Sequence, residues 1–174
     1  MTIAEFRQEL IDKRSYFYQF PWPAITYGHW TAGRHFTTFN DYHFNVDGDG
    51  EIIYTRPLDE VPRATWHRNT GSIAIALCCC YNARPDDLGE YPPTAAQIET
   101  LAKMFAVIAE VFDNPIDREH FMTHGEAAND DGYGLYSGEP DCRWDLEQLC
   151  DEDEIGTGGD ILRGKAQWYL ENGV

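Results

Sequence analysis

The segment ITYGHWTAG, residues 25–33, places a histidine at the end of a strand-like run. Apolar and β-prone residues lead through Gly28 to His29, and Trp30 and small residues follow. A histidine in this position is either a hydrogen-bonded core residue or a ligand. The rest of the chain is needed to choose between these two interpretations.

Helix and strand patterns alternate through the first half of the chain. Thr2 and Glu5 form a capping box that predicts an N-terminal helix, which the prolines of FPWP, residues 20–23, bring to an end. Alternating apolar residues on either side of a Gly/Asp turn predict a hairpin over residues 41–56. The apolar run SIAIALCCCY, residues 72–81, is typical of a buried strand.

The second half adds a long helix, a short extended run and a terminal helix. Thr94 and Gln97 cap an amphipathic helix over residues 95–112. The stretch HFMTHGEAA, residues 120–128, predicts a short extended segment that ends at His124, a glycine-rich loop follows, and Asp160 is expected to cap the last helix. This order of elements predicts an α/β (mixed) fold, with a central mixed β-sheet flanked by α-helices.

The composition excludes several classes of protein. The chain has 174 residues, enough for one sizeable core and too few for two ordinary domains. Its formal net charge of −17 disfavours binding to nucleic acid or to anionic membranes. No segment approaches the roughly 20 apolar residues of a membrane span, and the charged N-terminus lacks the apolar stretch of a signal peptide. We therefore expect synthesis in the cytoplasm and no membrane insertion.

The five cysteines do not form a disulfide framework. Cys78, Cys79 and Cys80 are consecutive in the buried strand pattern, so their side chains alternate between its faces and cannot converge on one metal ion. We interpret them as small buried hydrophobic residues. The odd number of cysteines fits a reducing compartment.

Two histidines and a carboxylate are the candidates for a metal site. His29 follows one predicted strand and His124 follows the short run after the long helix. A catalytic zinc ion is often held by two histidines and one carboxylate. The sequence contains no HExxH motif, so the ligands would have to meet through the tertiary structure, and structural histidines stay an alternative.

Five pieces of the sequence together resemble the N-acetylmuramoyl-L-alanine amidases, the zinc amidase family that includes phage lysozyme-type amidases and peptidoglycan recognition proteins. The pieces are YGHWTAG, DYHFNVDGDGEIIYTR, WHRNTGSIAIAL, THGEAA and RWDL, in this order. The resemblance implies a peptidoglycan recognition protein/amidase-like fold. We expect a single amidase domain over residues 1–174, with its core at about 25–149, an N-terminal helix in 1–20, and an acidic segment and C-terminal helix in 150–174.

The resemblance also implies one zinc ion and its ligands. His29 and His124 match the two ligand histidines of the family. The third ligand follows a basic residue by two positions, which indicates Asp145 after Arg143. Three neighbours are rivals for this third position: Cys142, Asp141 and Glu139.

Further roles follow from the same resemblance. Tyr42 matches a tyrosine beside the metal, where its phenol would bond the attacking water or the oxyanion. Arg143 would stabilise the oxyanion, or else form a structural ion pair. Glu126 would act as a general base, orient an imidazole, or lie solvated in a loop. Three residues are expected in the substrate groove: His67, Asn69 and Trp30.

The expected function is zinc-dependent hydrolysis of the amide bond between N-acetylmuramic acid and L-alanine in peptidoglycan. The protein would be a phage or prophage endolysin or a delivered effector, and it would reach the cell wall after holin- or secretion-dependent release. Sacculi and soluble muropeptides are both possible substrates, and the oligomeric state stays open. One alternative is a peptidoglycan-binding recognition module without catalysis, and another is a globular domain with structural histidines.

Overall fold

The computed structural model describes all residues, 1–174, as a five-stranded mixed sheet with four helices. In chain order the elements are α1 (Ile3–Phe17), β1 (Ile25–Trp30), β2 (Phe44–Val46), β3 (Ile52–Tyr54), β4 (Ser72–Leu77), α2 (Ala95–Phe112), β5 (Phe121–Thr123), α3 (His124–Asp131) and α4 (Gly158–Asn172). The predicted α/β class with a central mixed sheet is confirmed. None of the helices combines the length and the apolar character needed to cross a membrane.

The strand order places β1 near the centre of the sheet. The order is β3-β2-β4-β1-β5, in which β1 runs parallel to both β4 and β5. Strand β2 is parallel to β4, and β3 closes the predicted hairpin as an antiparallel edge strand. Gly28 of β1 pairs with Thr123 of β5. The residues that follow these two, His29 and His124, therefore emerge side by side at the carboxyl edge of the sheet.

The main core lies on the face of the sheet covered by α1, α2 and α4. It is a cluster of 27 buried residues that extends from Phe6 in α1 to Ala166 in α4. A side chain at Gly28 would contact Phe105 of α2, so the glycine lets this helix pack closely on β1. On the opposite face, α3 contacts β1 and β5 over a small cluster that includes Tyr27.

The structure corrects the sequence prediction at two helix starts. The extended segment expected to end at His124 ends at Thr123, and a helix that was not predicted, α3, begins at His124 because Thr123 and Glu126 form a capping box. The last helix begins at Gly158, and Asp160 lies inside its first turn. The Asp160 carboxylate accepts a hydrogen bond from Arg163 instead of capping the backbone.

Candidate metal centre and its clefts

Three buried side chains converge at the carboxyl edge of the sheet. His29 is the penultimate residue of β1, His124 begins α3, and Asp145 comes from the segment after α3. One ligand atom from each lies within 4.8 Å of the other two. The Oδ2 atom of Asp145 is 3.7 Å from Nδ1 of His29 and 3.3 Å from Nδ1 of His124. The structure thus brings together the two histidines and the carboxylate named from the sequence.

Backbone hydrogen bonds bring Asp145 to this position. The amide of Gly125 donates to the carbonyl oxygen of Asp145 at 3.0 Å, and the amide of Trp30 donates to its carboxylate at 3.4 Å. A Cβ atom at position 125 would lie 2.6 Å from the carboxylate of Glu147, closer than a side chain can approach. Glycine at this position therefore lets the Asp145 segment lie directly against the start of α3.

Two hydroxyl groups contact the outer nitrogens of the imidazoles. Thr65 Oγ1 lies 3.2 Å from Nε2 of His29, and Tyr133 Oη lies 3.4 Å from Nε2 of His124. In the tautomer that donates Nε2–H to these oxygens, the Nδ1 lone pair of each imidazole would be free to bind a cation beside Asp145. The Asn69 carboxamide holds the Thr65 loop, since its oxygen accepts from the Thr65 amide at 2.8 Å.

The protonation states suit a cation. Burial lowers the pKa of His29 to about 4, so its imidazole is neutral at pH 7. Burial alone would raise the pKa of Asp145, but the neighbouring His124 and His29 bring it well below its usual range. The site therefore offers a carboxylate anion beside a neutral imidazole. Burial raises the pKa of the Tyr42 phenol, which consequently keeps its proton.

The residues fit a zinc ion. Nδ1 of His29 is buried and has no hydrogen-bond partner in the protein. A buried polar atom of this kind is costly unless it binds a ligand. Two imidazole nitrogens and one carboxylate oxygen form a usual zinc donor set that leaves a fourth position open for water or substrate.

The rivals for the third position lie outside this group. The convergent set contains Asp145 and none of Cys142, Asp141 and Glu139. Cys142 is half-buried and lines a cleft beside Asp145, while Asp141 and Glu139 are exposed on the rim of a second cleft. The geometry therefore favours Asp145.

Two clefts meet beside the three converging side chains. Their volumes are about 820 Å³ and about 560 Å³, and both are lined by Arg63, His124 and Arg143. Trp66 and Tyr133 belong to the larger cleft, and the aromatic residues of the smaller one are Trp30, Tyr42, Tyr81 and Trp144. The clefts provide room for an extended substrate on both sides of His124.

The predicted catalytic residues Tyr42 and Arg143 both line the smaller cleft. The ring of Tyr42 lies 5.1 Å from that of His29, and its hydroxyl donates to the carbonyl oxygen of Trp30 at 3.3 Å. The exposed guanidinium of Arg143 donates to the carbonyl oxygens of Asp141 and Cys142. No carboxylate forms a salt bridge with Arg143, which leaves the alternative of a structural ion pair without support.

The structure does not support the predicted role of Glu126 as a general base. Glu126 is buried, lines neither cleft and accepts two hydrogen bonds from the guanidinium of Arg163, at 2.9 and 2.8 Å. One of its oxygens also accepts from the amide of Thr123. A carboxylate engaged in this way is not free to take a proton from a water molecule. It contacts no imidazole nitrogen directly either.

The predicted groove residues differ in position. Asn69 lines the larger cleft and Trp30 the smaller one, but the carboxamide oxygen of Asn69 is already bonded and Trp30 is only 6% exposed. His67 lines neither cleft, and its ring lies 4.0 Å from the ring of Trp66. The structure thus places two of these residues at the clefts and His67 outside them.

Sequence reasoning missed Thr65, Tyr133 and Arg163. Hydroxyl residues in loops carry no motif, so neither Thr65 nor Tyr133 could be recognised before the imidazoles were placed. The capping box at Thr123 was a usable signal for the start of α3 at His124.

A model of the N-acetylmuramoyl-L-alanine amidase family, Amidase_2, matches residues 21–134, which include both histidines of the site and end before Asp145. Among solved structures, the Ph2119 endolysin from Thermus scotoductus MAT2119 bacteriophage Ph2119 is similar, with a TM-score of 0.47 and 18% identity. This similarity covers 60% of the present chain and 73% of the endolysin. A search of curated proteins finds no match.

Proposed function

The chain belongs to the N-acetylmuramoyl-L-alanine amidase family, and from this premise we propose that it hydrolyses the amide bond between N-acetylmuramic acid and L-alanine in peptidoglycan. His29, His124 and Asp145 would hold one zinc ion. The observation that carries the proposal is the convergence of three ligand atoms within 4.8 Å around a buried His29 nitrogen that has no partner in the protein.

Each residue of the site has a defined task in this reaction. Zinc, when bound, supplies a Lewis acid that polarises a carbonyl group and lowers the pKa of water. Thr65 and Tyr133 would accept hydrogen bonds from Nε2 of the two imidazoles and so orient both Nδ1 atoms towards the metal site. The protonated phenol of Tyr42 would turn its O–H from the carbonyl oxygen of Trp30 to the substrate carbonyl oxygen as negative charge develops there.

The clefts suggest how the substrate lies. Arg143 stays charged at any working pH, and its position in the wall common to both clefts lets it attract the developing oxyanion. A substrate that spans both clefts passes His124 with its glycan on one side and its stem peptide on the other. We propose peptidoglycan or its soluble muropeptides as this substrate.

The presence of Asp145 in the convergent group supports an enzyme over a non-catalytic recognition module, which needs no complete ligand set. The biological setting that we propose is either lysis by a phage or prophage endolysin or the action of a delivered effector. In both settings the protein would reach the cell wall by holin- or secretion-dependent release.

The test is mass spectrometry of purified sacculi, and separately of soluble muropeptides, after incubation with the protein. We expect stem peptides with a free L-alanine amine, no release in the presence of a zinc chelator, and recovery after zinc is added back. Intact glycan–peptide junctions in both substrates, from a folded and zinc-loaded protein, would refute the proposed activity. Glycan-strand binding without cleavage would then favour the recognition module.

A further inference from the structure

We infer that Arg163, in the C-terminal helix α4, is a positioning residue that fixes His124 through Glu126 and thereby sets the affinity of the metal site. The inference rests on the proposed zinc site. It concerns a helix that lies beyond residues 21–134, the part of the chain that the family model matches.

Arg163 is buried, and both of its terminal nitrogens donate hydrogen bonds. Its guanidinium donates to both carboxylate oxygens of Glu126, at 2.9 and 2.8 Å, and to the carbonyl oxygen of Phe121 at 2.9 Å. Asp160 of the same helix accepts a further hydrogen bond at 2.6 Å. A bidentate contact with a guanidinium group orients a carboxylate more strictly than a contact with a single ammonium group does.

Glu126 in turn fixes the start of α3 through two hydrogen bonds with Thr123. Its carboxylate accepts from the amide of Thr123 at 2.9 Å, and its own amide donates to Thr123 Oγ1 at 3.1 Å. His124 lies between these two residues as the first residue of the helix. Because Arg163 also bonds Phe121, the first residue of β5, it holds both ends of the short segment that carries His124.

Glycine at the start of α4 leaves room for the Glu126 carboxylate beside Arg163. A Cβ atom at Gly159 would lie 2.5 Å from the carboxylate of Glu126, so a side chain there would displace it. The amide of the preceding Gly158 donates to the carbonyl oxygen of Glu147 at 3.0 Å, two residues after Asp145. Helix α4 therefore contacts both segments that carry metal-site residues, the segment of His124 and the segment of Asp145.

A positioning role and a purely structural role make different predictions. If Arg163 only stabilises the fold, its loss lowers the melting temperature and leaves the zinc affinity of the folded protein unchanged. If it positions His124, the zinc affinity falls about 10- to 100-fold, as is usual when a partner that orients a metal ligand is removed.

The experiment measures the zinc dissociation constant of the full chain by competition with a chromophoric chelator. We expect Arg163→Met to weaken zinc binding about 10- to 100-fold and Arg163→Lys to give an intermediate loss. Lys165→Met is the matched control, because Lys165 ties the same helix to Glu99 of α2 and contacts nothing at the metal site. It should leave zinc binding unchanged while lowering the melting temperature.

A second pair of variants covers the case in which Arg163→Met does not fold. Gly159→Ala should displace the Glu126 carboxylate and weaken zinc binding, whereas Gly164→Ala, whose new methyl group meets no atom within 4 Å, should not. Wild-type zinc affinity in folded Arg163→Met would overturn the inference. If that variant does not fold, wild-type affinity in both Arg163→Lys and Gly159→Ala would overturn it.

The outcomes separate this inference from the proposed function. A wild-type protein that binds no zinc overturns both. A protein that binds zinc but leaves peptidoglycan intact overturns the amidase activity alone, because the effect of Arg163 on zinc affinity is measured without substrate.

Discussion

Single residues decide the chemistry of the site, and the third ligand can be tested directly. Replacing Asp145 by Asn keeps the shape but removes the charge that lies 3.3 Å from His124. We expect zinc affinity and stem-peptide release to fall by more than about 100-fold, since even the outer partners of zinc ligands contribute about 10- to 100-fold. Bound zinc is measured by mass spectrometry of the desalted protein. Cys142→Ser is the matched control and should retain its zinc. Loss of zinc from that variant would indicate that Cys142 is a zinc ligand.

Tyr42 is expected to act on the reaction and not on the metal. Its hydroxyl bonds only a backbone carbonyl oxygen, so Tyr42→Phe should preserve the fold and the zinc content. Loss of one oxyanion donor costs about 10²- to 10³-fold in kcat. Steady-state kinetics on a soluble muropeptide measures this loss. An unchanged kcat would assign Tyr42 to packing against His29.

Thr65 is expected to act on the metal through His29. The change Thr65→Val keeps the buried volume and removes the oxygen 3.2 Å from Nε2 of the imidazole. We predict a loss of zinc affinity of about 10- to 100-fold. Stability should fall by about 1 kcal/mol, the net value of one hydrogen bond. Chelator competition and urea unfolding measure the two effects separately, and wild-type zinc binding would contradict the prediction.

At the scale of elements, the parallel arrangement of β1 and β5 creates the site. Side chains that follow the carboxyl ends of adjacent parallel strands share one edge of a sheet. A different parallel pair, β2 and β4, gives His43 a structural role: it directly precedes β2, its amide donates to the carbonyl oxygen of Ala74 in β4, and its Nδ1 accepts from the Ala74 amide at 3.1 Å. Its Nε2 lies 2.9 Å from the carbonyl oxygen of Glu60. Only a neutral imidazole can accept and donate in this way.

This pairing predicts a dependence of stability on pH. Burial lowers the pKa of His43 to about 4, and the nearby charge of Arg56 acts in the same direction. An unfolded histidine has a pKa of about 6.5. The unfolded chain therefore binds a proton first as the pH falls from 6.5 towards 4, and the folded state loses on the order of 3 kcal/mol over this range.

Urea unfolding at pH 7 and pH 4.5, with a chelator present, measures the effect. His43→Asn keeps a polar group and removes the titration, so the stability advantage of the wild type over this variant should shrink at the lower pH. An advantage that stays constant would mean that His43 is not held neutral in the folded protein.

At the scale of the whole molecule, one core joins the two ends of the chain. The buried cluster extends from Phe6 in α1 to Ala166 in α4, and α2 packs against both of these helices. We predict that residues 1–174 unfold as a single domain. Calorimetry should give one transition whose calorimetric and van't Hoff enthalpies agree. A separate transition for the C-terminal segment would contradict both the single domain and the support that α4 gives to the metal site.

Local patterns predicted most of the elements. The capping boxes at Thr2 and Thr94 correctly placed the starts of α1 and α2, and the Gly/Asp turn placed the hairpin of β2 and β3. These signals depend on residues three or four positions apart, which the printed sequence displays directly. The start of α4 was misplaced, because the Asp160 side chain is bonded by Arg163 and not by the backbone amides of a helix end.

The amino-acid sequence by itself determined the fold class, the family resemblance and the two histidines, because these follow from patterns within short segments. The family resemblance named Asp145 as the third ligand but left three rivals open, and only the tertiary structure separates Asp145 from them, since Trp30 and Asp145 meet across 115 residues of chain. The tertiary structure also shows that Glu126 lines neither cleft and accepts hydrogen bonds from Arg163, 37 residues away. Contacts between residues so far apart in the chain depend on how strands and helices pack. That packing cannot be read from the spacing of residues within a short segment.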